Sequence, residues 1–242
     1  MNFETKQKLA KLSIIILIIL IFFYMKYISK NFIYNHNVLS YDDAYNTISN
    51  NDDNYFNKMN DINLQARGVK TIDEYKNIMK TSLLNKCSLY HRKIIHEAIL
   101  KVKKLNVKSD WVNNIKFQNI PWNILITKNE GYEHALSHTR YNKIHGYVIV
   151  ISFNIVNSDK NLVKTLLHEQ LHIYQKKYEN SVNKYIDKYY FVVKNFDTSN
   201  IRANPDTNNL IYKNLNNETL CCCYNENPKN ITDVVYKPIN KA

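Results

Sequence analysis

Five consecutive residues, His168-Glu169-Gln170-Leu171-His172, form an HExxH motif. On a helix, positions four apart are separated by about 40° in azimuth and about 6 Å along the axis, so both imidazoles can reach one tetrahedral Zn²⁺. Glu169 falls on the adjoining face, placed for a metal-bound water rather than for the metal. In that arrangement the metal acidifies the water and polarises a carbonyl, and the glutamate carries the proton to a leaving amine, which is peptide-bond hydrolysis. The motif therefore assigns His168 and His172 to metal and Glu169 to catalysis. A second start, His96-Glu97-Ala98-Ile99-Leu100, ends in leucine and lacks the second ligand. It reads as ordinary helix.

The motif needs a helix, and its flanks supply one. Asn161 to Tyr178 has helical spacing, and Leu162, Val163, Leu166, Leu167, Leu171, Tyr174 and Tyr178 give it a side to bury. Upstream, Asn123 to Lys128 and Tyr147 to Phe153 read as strands. The second lies just upstream of the motif helix. Thr71-Ile72-Asp73-Glu74 fits a capping box, and helical periodicity follows to Leu105 with a break near Asn85 to Ser88. The segment from Tyr185 to Lys194 is expected to be helical, and a short strand is expected near Thr219 to Tyr224. Helices, then strands, then a helix carrying chemistry make an α+β fold.

The 242 residues contain only three glycines, which excludes phosphate-cradling loops and dinucleotide fingerprints. Leu12 to Met25 is free of charge, and with Lys11 and Lys26 snorkelling, residues 9–28 make a span of about 20 residues. The run ends without a small-x-small pair, so an uncleaved anchor is expected rather than a cleaved signal. The reading is thus residues 1–30 as tail and transmembrane anchor, 31–59 as an Asn/Asp-rich tether, and 60–242 as the working domain. Three lysines before the span and two after it favour a cytosolic N-terminus, with the body lumenal, extracellular or on a virion or host membrane. The sequons at Asn217 and Asn230 are compatible with that.

The flanking segments add a resemblance. LQARG (64–68), ALSHTR (135–140), LLHEQLHIYQ (166–175) and RANPDTNNLIY (202–212) resemble segments of zincin metallopeptidases, more narrowly those encoded by large DNA viruses and some microbes. The resemblance implies a zincin-like domain with an active-site helix behind a small sheet, with Tyr147 to Phe153 as the edge strand that pairs with substrate, a zinc cofactor and a peptide or protein substrate. It leaves the third ligand open. It also implies a further carboxylate-bearing segment beyond the part matching Asp233 to Tyr236, so a chain ending at Ala242 is expected to lack that ligand and to be a shortened or degenerate copy. A catalytically inactive, zincin-like membrane protein with a binding or structural role is the alternative.

Within the chain, the candidate third ligands downstream of the motif are Glu179, Asp187, Asp197, Asp206 and Glu218. Glu179 lies about 10 Å further along the helix axis, too far to share the ion. Asp206, in an Asn-Pro-Asp turn, and Glu218 are far enough downstream to fold back. His138 and Arg140 are candidates for an oxyanion site. Cys221, Cys222 and Cys223 fit no zinc-knuckle spacing; a disulfide from Cys87 to one of them, or free thiols, both fit the sequence.

The net charge of +12 is unevenly spread: residues 75–109 hold nine basic residues against Glu97 alone. That excess reads as a solvated helix face or a surface for anionic headgroups. No nucleic-acid motif accompanies it, and oligomeric state leaves no trace in the sequence.

Overall fold

The structure is a computed structural model that describes residues 19–21, 36–129, 132–193, 199–206, 211–214, 220–224 and 227–238. The chain divides into two units, residues 1–36 and 37–242. Of the expected anchor, Ile19, Leu20 and Ile21 are described; they are helical and exposed. The rest of the span lies outside the described residues. Among the described residues, no helix is long and apolar enough to cross a membrane.

The second unit is a mixed α/β fold. Its elements are β1 (Asn37–Val38), α1 (Tyr41–Ser49), α2 (Asp61–Gln65), α3 (Ile72–Ser82), α4 (Leu89–Lys103), α5 (Asn114–Gln118), β2 (Asn123–Thr127), β3 (His138–Asn142), β4 (Gly146–Ser152), α6 (Phe153–Val156), α7 (Asp159–Lys177), α8 (Glu179–Tyr189), β5 (Tyr190–Val193), β6 (Ile211–Asn214), β7 (Leu220–Tyr224) and β8 (Val234–Pro238). A 3₁₀ turn occupies Tyr55–Lys58, and a tight turn with left-handed φ at Glu133 and His134 occupies Tyr132–Ala135. The main sheet has the order β1-β2-β4-β3; β1–β2 and β2–β4 are parallel, and β3–β4 is antiparallel. β5–β6 and β7–β8 form two small antiparallel pairs.

β2 and β4 read NILIT and GYVIVIS because both faces of the sheet are covered. Ile124, Ile126, Ile149 and Ile151 point to one side, into a cluster with Ile95, Ile99 and Val102 of α4 and Leu162, Leu166 and Ile173 of α7. Leu125, Val148 and Val150 point to the other, against Ala44 and Ile48 of α1 and Tyr75 and Met79 of α3. The metal-motif helix is thus clamped between the sheet and α4. Its ends suit its dipole, with Asp159 in the first turn and Lys176 and Lys177 in the last.

Three expectations change here. The tether is the first: from Asn37 onward it is folded body, with Ile48, Tyr55 and Phe56 all buried. Its Asn, Asp and Ser residues are caps and turns rather than solvated linker; Ser40 accepts from the Asp43 N–H to start α1. Second, β4 is not an edge strand. It is paired on both sides, and the outer strands of the sheet are β1 and β3. Third, the helical reading of Tyr185 to Lys194 fails at Tyr190, where β5 begins. The capping box at Thr71 forms in a shifted version: Thr71 takes the Glu74 N–H, while Glu74 reaches one residue further back, to the Lys70 N–H at 2.7 Å. The break between α3 and α4 falls where expected, and Ser88 caps the second helix. Lys101 of the basic segment pairs with Asp159 of α7 at 2.7 Å on the surface. Cys87, Cys222 and Cys223 are free thiols.

Candidate metal centre

His168 and His172 stand one turn apart on α7, with their Nε2 atoms 3.0 Å from each other and their rings nearly perpendicular, at 89°. Two nitrogens each about 2.0–2.1 Å from one tetrahedral ion stand roughly 3.3 Å apart, so the pair is close to ligand spacing. His172 Nδ1 lies 3.0 Å from Gln175 Oε1. Gln175 can only accept there, which places the His172 proton on Nδ1 and leaves the Nε2 lone pair for a ligand bond. Burial holds His172 below the ordinary imidazole range, against the pull of Asp206 in the other direction, and so favours the neutral form a metal requires. Replacing Gln175 with alanine is expected to weaken zinc binding about tenfold, as read by competition with a chromophoric chelator.

Both histidines line a cavity of about 200 Å³, together with Leu136, His138, Arg202 and Asp206. Asp206 is the downstream carboxylate that folds back. Its Oδ1 accepts from the Thr139 N–H at 2.6 Å and the Thr139 hydroxyl at 2.9 Å, and Asn204 Oδ1 accepts from the Asp206 N–H to make the turn. Lys176, four residues beyond His172, fastens the helix to this corner by donating to Thr139 Oγ1 at 2.7 Å and to the Pro205 carbonyl at 2.9 Å. Burial pushes Lys176 down to about 8, with Asp206 and Asp53 opposing. Glu218 lies outside the described residues. Among the described residues, no group of three His, Cys, Asp or Glu side chains converges closely enough to hold an ion. The two histidines therefore fit a metal as they stand, and Asp206 shares their cavity without closing the set.

Glu169 is only 2% exposed and is not part of the cavity wall. Its Oε2 is buried with no hydrogen-bond partner. Burial, helped by the like charge of Asp206 and opposed by Lys176, raises its carboxyl to about 9. The carboxyl thus holds its proton more tightly than an exposed glutamate does. The helix geometry explains the burial: Glu169 and Gln170 interrupt the stripe of Leu162, Leu166, Ile173 and Tyr174 that α7 buries.

Arg140 does not face the cavity. Its fully buried guanidinium is held by Asp53, by the Tyr132 hydroxyl at 2.7 Å and by the Ile48 and Asn50 carbonyls, so it positions α1 against β3 rather than an oxyanion. His138 does line the cavity, but Nδ1 contacts the Leu136 carbonyl at 2.9 Å and Nε2 the Tyr132 hydroxyl at 3.0 Å, so both nitrogens are engaged. Sequence reasoning passed over Glu133, Thr139, Lys176 and Arg202. Arg67 and Arg202 sit in the resembling segments LQARG and RANPDTNNLIY; nothing in the sequence marked Glu133. All four of those segments meet at this corner, where Arg67 also donates to the Ala203 carbonyl at 2.9 Å.

No family model, no curated protein and no solved structure matches this chain. The site's own geometry carries the functional reading.

Proposed function

We propose that the chain is a membrane-anchored, zinc-dependent metallopeptidase with a zincin-like arrangement of α7 behind the four-stranded sheet. The observation that carries it is the pair of Nε2 atoms 3.0 Å apart in the wall of a cavity shared with Asp206. His168 and His172 would hold the ion through Nε2; Asp206, in the same cavity, is the described candidate for a third ligand, though it does not close the set as it stands. Zinc bound there would polarise a peptide carbonyl and acidify a water. Glu169, once ionised by the charge of that ion, would be the residue to accept the water's proton on a carboxylate oxygen and deliver it to the departing amide nitrogen. Gln175 orients His172, and Lys176 holds the Pro205–Asp206 turn against the edge of β3.

The test is the metal content of the purified full chain in detergent. One zinc per chain is expected, lost in His172→Ala and bound at least about tenfold more weakly in Asp206→Asn. Unchanged affinity in Asp206→Asn would remove it as a ligand.

Two observations favour a second reading, in which the domain binds but does not hydrolyse. Glu169 lies outside the cavity wall, and the β3 edge that could dock an extended chain is occupied by the protein's own carboxylates. Stoichiometric zinc with no cleavage of any peptide would select it.

A further inference from the structure

We propose that Arg202 sets the substrate class of this site: peptides presented by a free terminal carboxylate, not internal stretches of extended polypeptide. The inference rests on reading the histidine pair as a hydrolytic centre.

The first observation concerns the edge strand. A substrate held as an added strand needs the outward N–H groups of an exposed edge. On β3 and the turn after it these belong to Thr139, Tyr141 and Lys143. Thr139 donates to Asp206 Oδ1 at 2.6 Å, Tyr141 to Asp53 Oδ2 at 3.4 Å and Lys143 to Asp52 Oδ2 at 3.0 Å. The ladder that would hold a long substrate is satisfied from within. Carboxylates at an edge also repel a further strand electrostatically.

The second concerns size. A cavity of about 200 Å³ is smaller than the roughly 300–1,000 Å³ of ordinary ligand sites. It accommodates the end of a chain better than its middle.

The third is Arg202 itself. It lines the same cavity as both histidines and is half-buried; its Nε makes no hydrogen bond, and its guanidinium bonds the Cys222 side chain. A thiol is a weak acceptor and a guanidinium has five N–H donors, so the group retains capacity for an anion in the cavity. The anions already in the wall are engaged: Glu133 by Arg67, and Asp206 Oδ1 by Thr139. The Arg202 backbone is anchored by its N–H to the Cys222 carbonyl at 3.0 Å, and Ile201 makes an isolated bridge to Cys223, so the guanidinium is presented from a segment pinned to β7. A planar guanidinium matches a carboxylate in both geometry and charge. With the carboxylate at Arg202, the bond offered to the histidine pair is one close to the C-terminus. Water adds across that C–N bond, its oxygen to the carbonyl carbon and its proton to the amine. The products are a short C-terminal fragment and a peptide with a new free carboxylate.

The experiment uses the full chain in detergent and one probe pair, N-acetyl-Ala-Phe as free acid and as amide. Calorimetric binding is measured first on metal-free protein, so that the readout does not depend on turnover. The free acid is expected to bind at least about tenfold more tightly than the amide, the scale of one charge-assisted hydrogen bond. Arg202→Met is expected to abolish the difference and Arg202→Lys to keep part of it, with thermal melts checking that both variants fold. Equal binding of acid and amide, or an unchanged ratio in folded Arg202→Met, would overturn the inference. Cleavage of longer peptide acids and amides by zinc-loaded protein is then compared. Acid-selective binding without any cleavage would sink the peptidase reading and leave the Arg202 subsite standing. Cleavage of acid and amide at equal rates would do the reverse.

Discussion

Glu169→Gln is expected to lower peptide hydrolysis by about 10²–10⁴-fold while leaving one zinc per chain, since a positioned general base is worth about that much. The substitution is close to isosteric, and it removes the proton acceptor without touching His168 or His172. It also suits the buried environment. Glu169 is 2% exposed, its Oε2 lacks a partner, and burial first and Asp206 second raise its carboxyl to about 9. In ion-free protein near neutral pH the residue is therefore a neutral acid, and glutamine imitates it. Glutamine has no proton to release on unfolding, so near pH 7 the variant is expected to be at least as stable as wild type by urea titration, and lost activity cannot be laid to unfolding. The linkage sign provides a second check. The folded state holds the Glu169 proton from about pH 4.5 to about 9 while the unfolded chain releases it. Ion-free stability from this group therefore falls as pH rises across that window. The Gln variant is expected to lack that slope. Hydrolysis that survives the substitution would show that Glu169 is not the base.

The parts of this molecule legible in the sequence were those with a period or a motif. The α7 stripe, the two apolar strands and the break before Ser88 each follow from local spacing, and each stands in the structure. The edge position was not legible, because β4 is buried on both sides by β2 and β3, and the antiparallel β3 reads HTRYN with no apolar run to announce it. Its strand character comes from pairing with β4, a tertiary cause. Residues 37–59 were misread for a related reason: their Asn and Asp content resembles a linker, yet Asp53 is there to hold the buried Arg140, 87 residues away. At the site, the two histidines were fixed by their four-residue spacing alone. Asp206 emerged as one of several downstream carboxylates, and only the fold brings it to the same cavity. Glu133 had no signal, since neither its burial nor its partner Arg67 can be seen in a linear pattern.

That buried pair carries the largest expected loss of stability. Arg67 donates from Nε to Glu133 Oε1 at 2.9 Å and from Nη2 to Oε2 at 3.1 Å, with both side chains at most 2% exposed. The Tyr55 and Tyr75 hydroxyls also donate to Oε1. Burial alone would raise the Glu133 carboxyl; the Arg67 charge, the nearby His138 and these hydrogen bonds outweigh it and bring it to about 2. The cluster also holds a costly backbone, for Glu133, His134 and Ala135 all take left-handed φ values of 48°, 50° and 60°. Each such residue costs about 1–2 kcal/mol, and the segment leads directly into Leu136 and His138 of the cavity wall. Glu133→Gln leaves Arg67 as an uncompensated buried charge and is expected to cost about 3–5 kcal/mol by urea unfolding at pH 7. The pH sign follows from a depressed carboxyl. The stability that Glu133 contributes is fully present above about pH 4.5 and is lost as pH falls through about 2, so wild type is expected to weaken steeply across that range. Glu133→Gln is expected to show a shallower acid slope. Pairing it with Arg67→Met separates the charge from the packing: with no charge left stranded, the double variant is expected to lose less than the sum of the single losses. Strict additivity would mean that the two side chains stabilise the cavity wall independently, and that the ion pair is not what holds the left-handed segment in place.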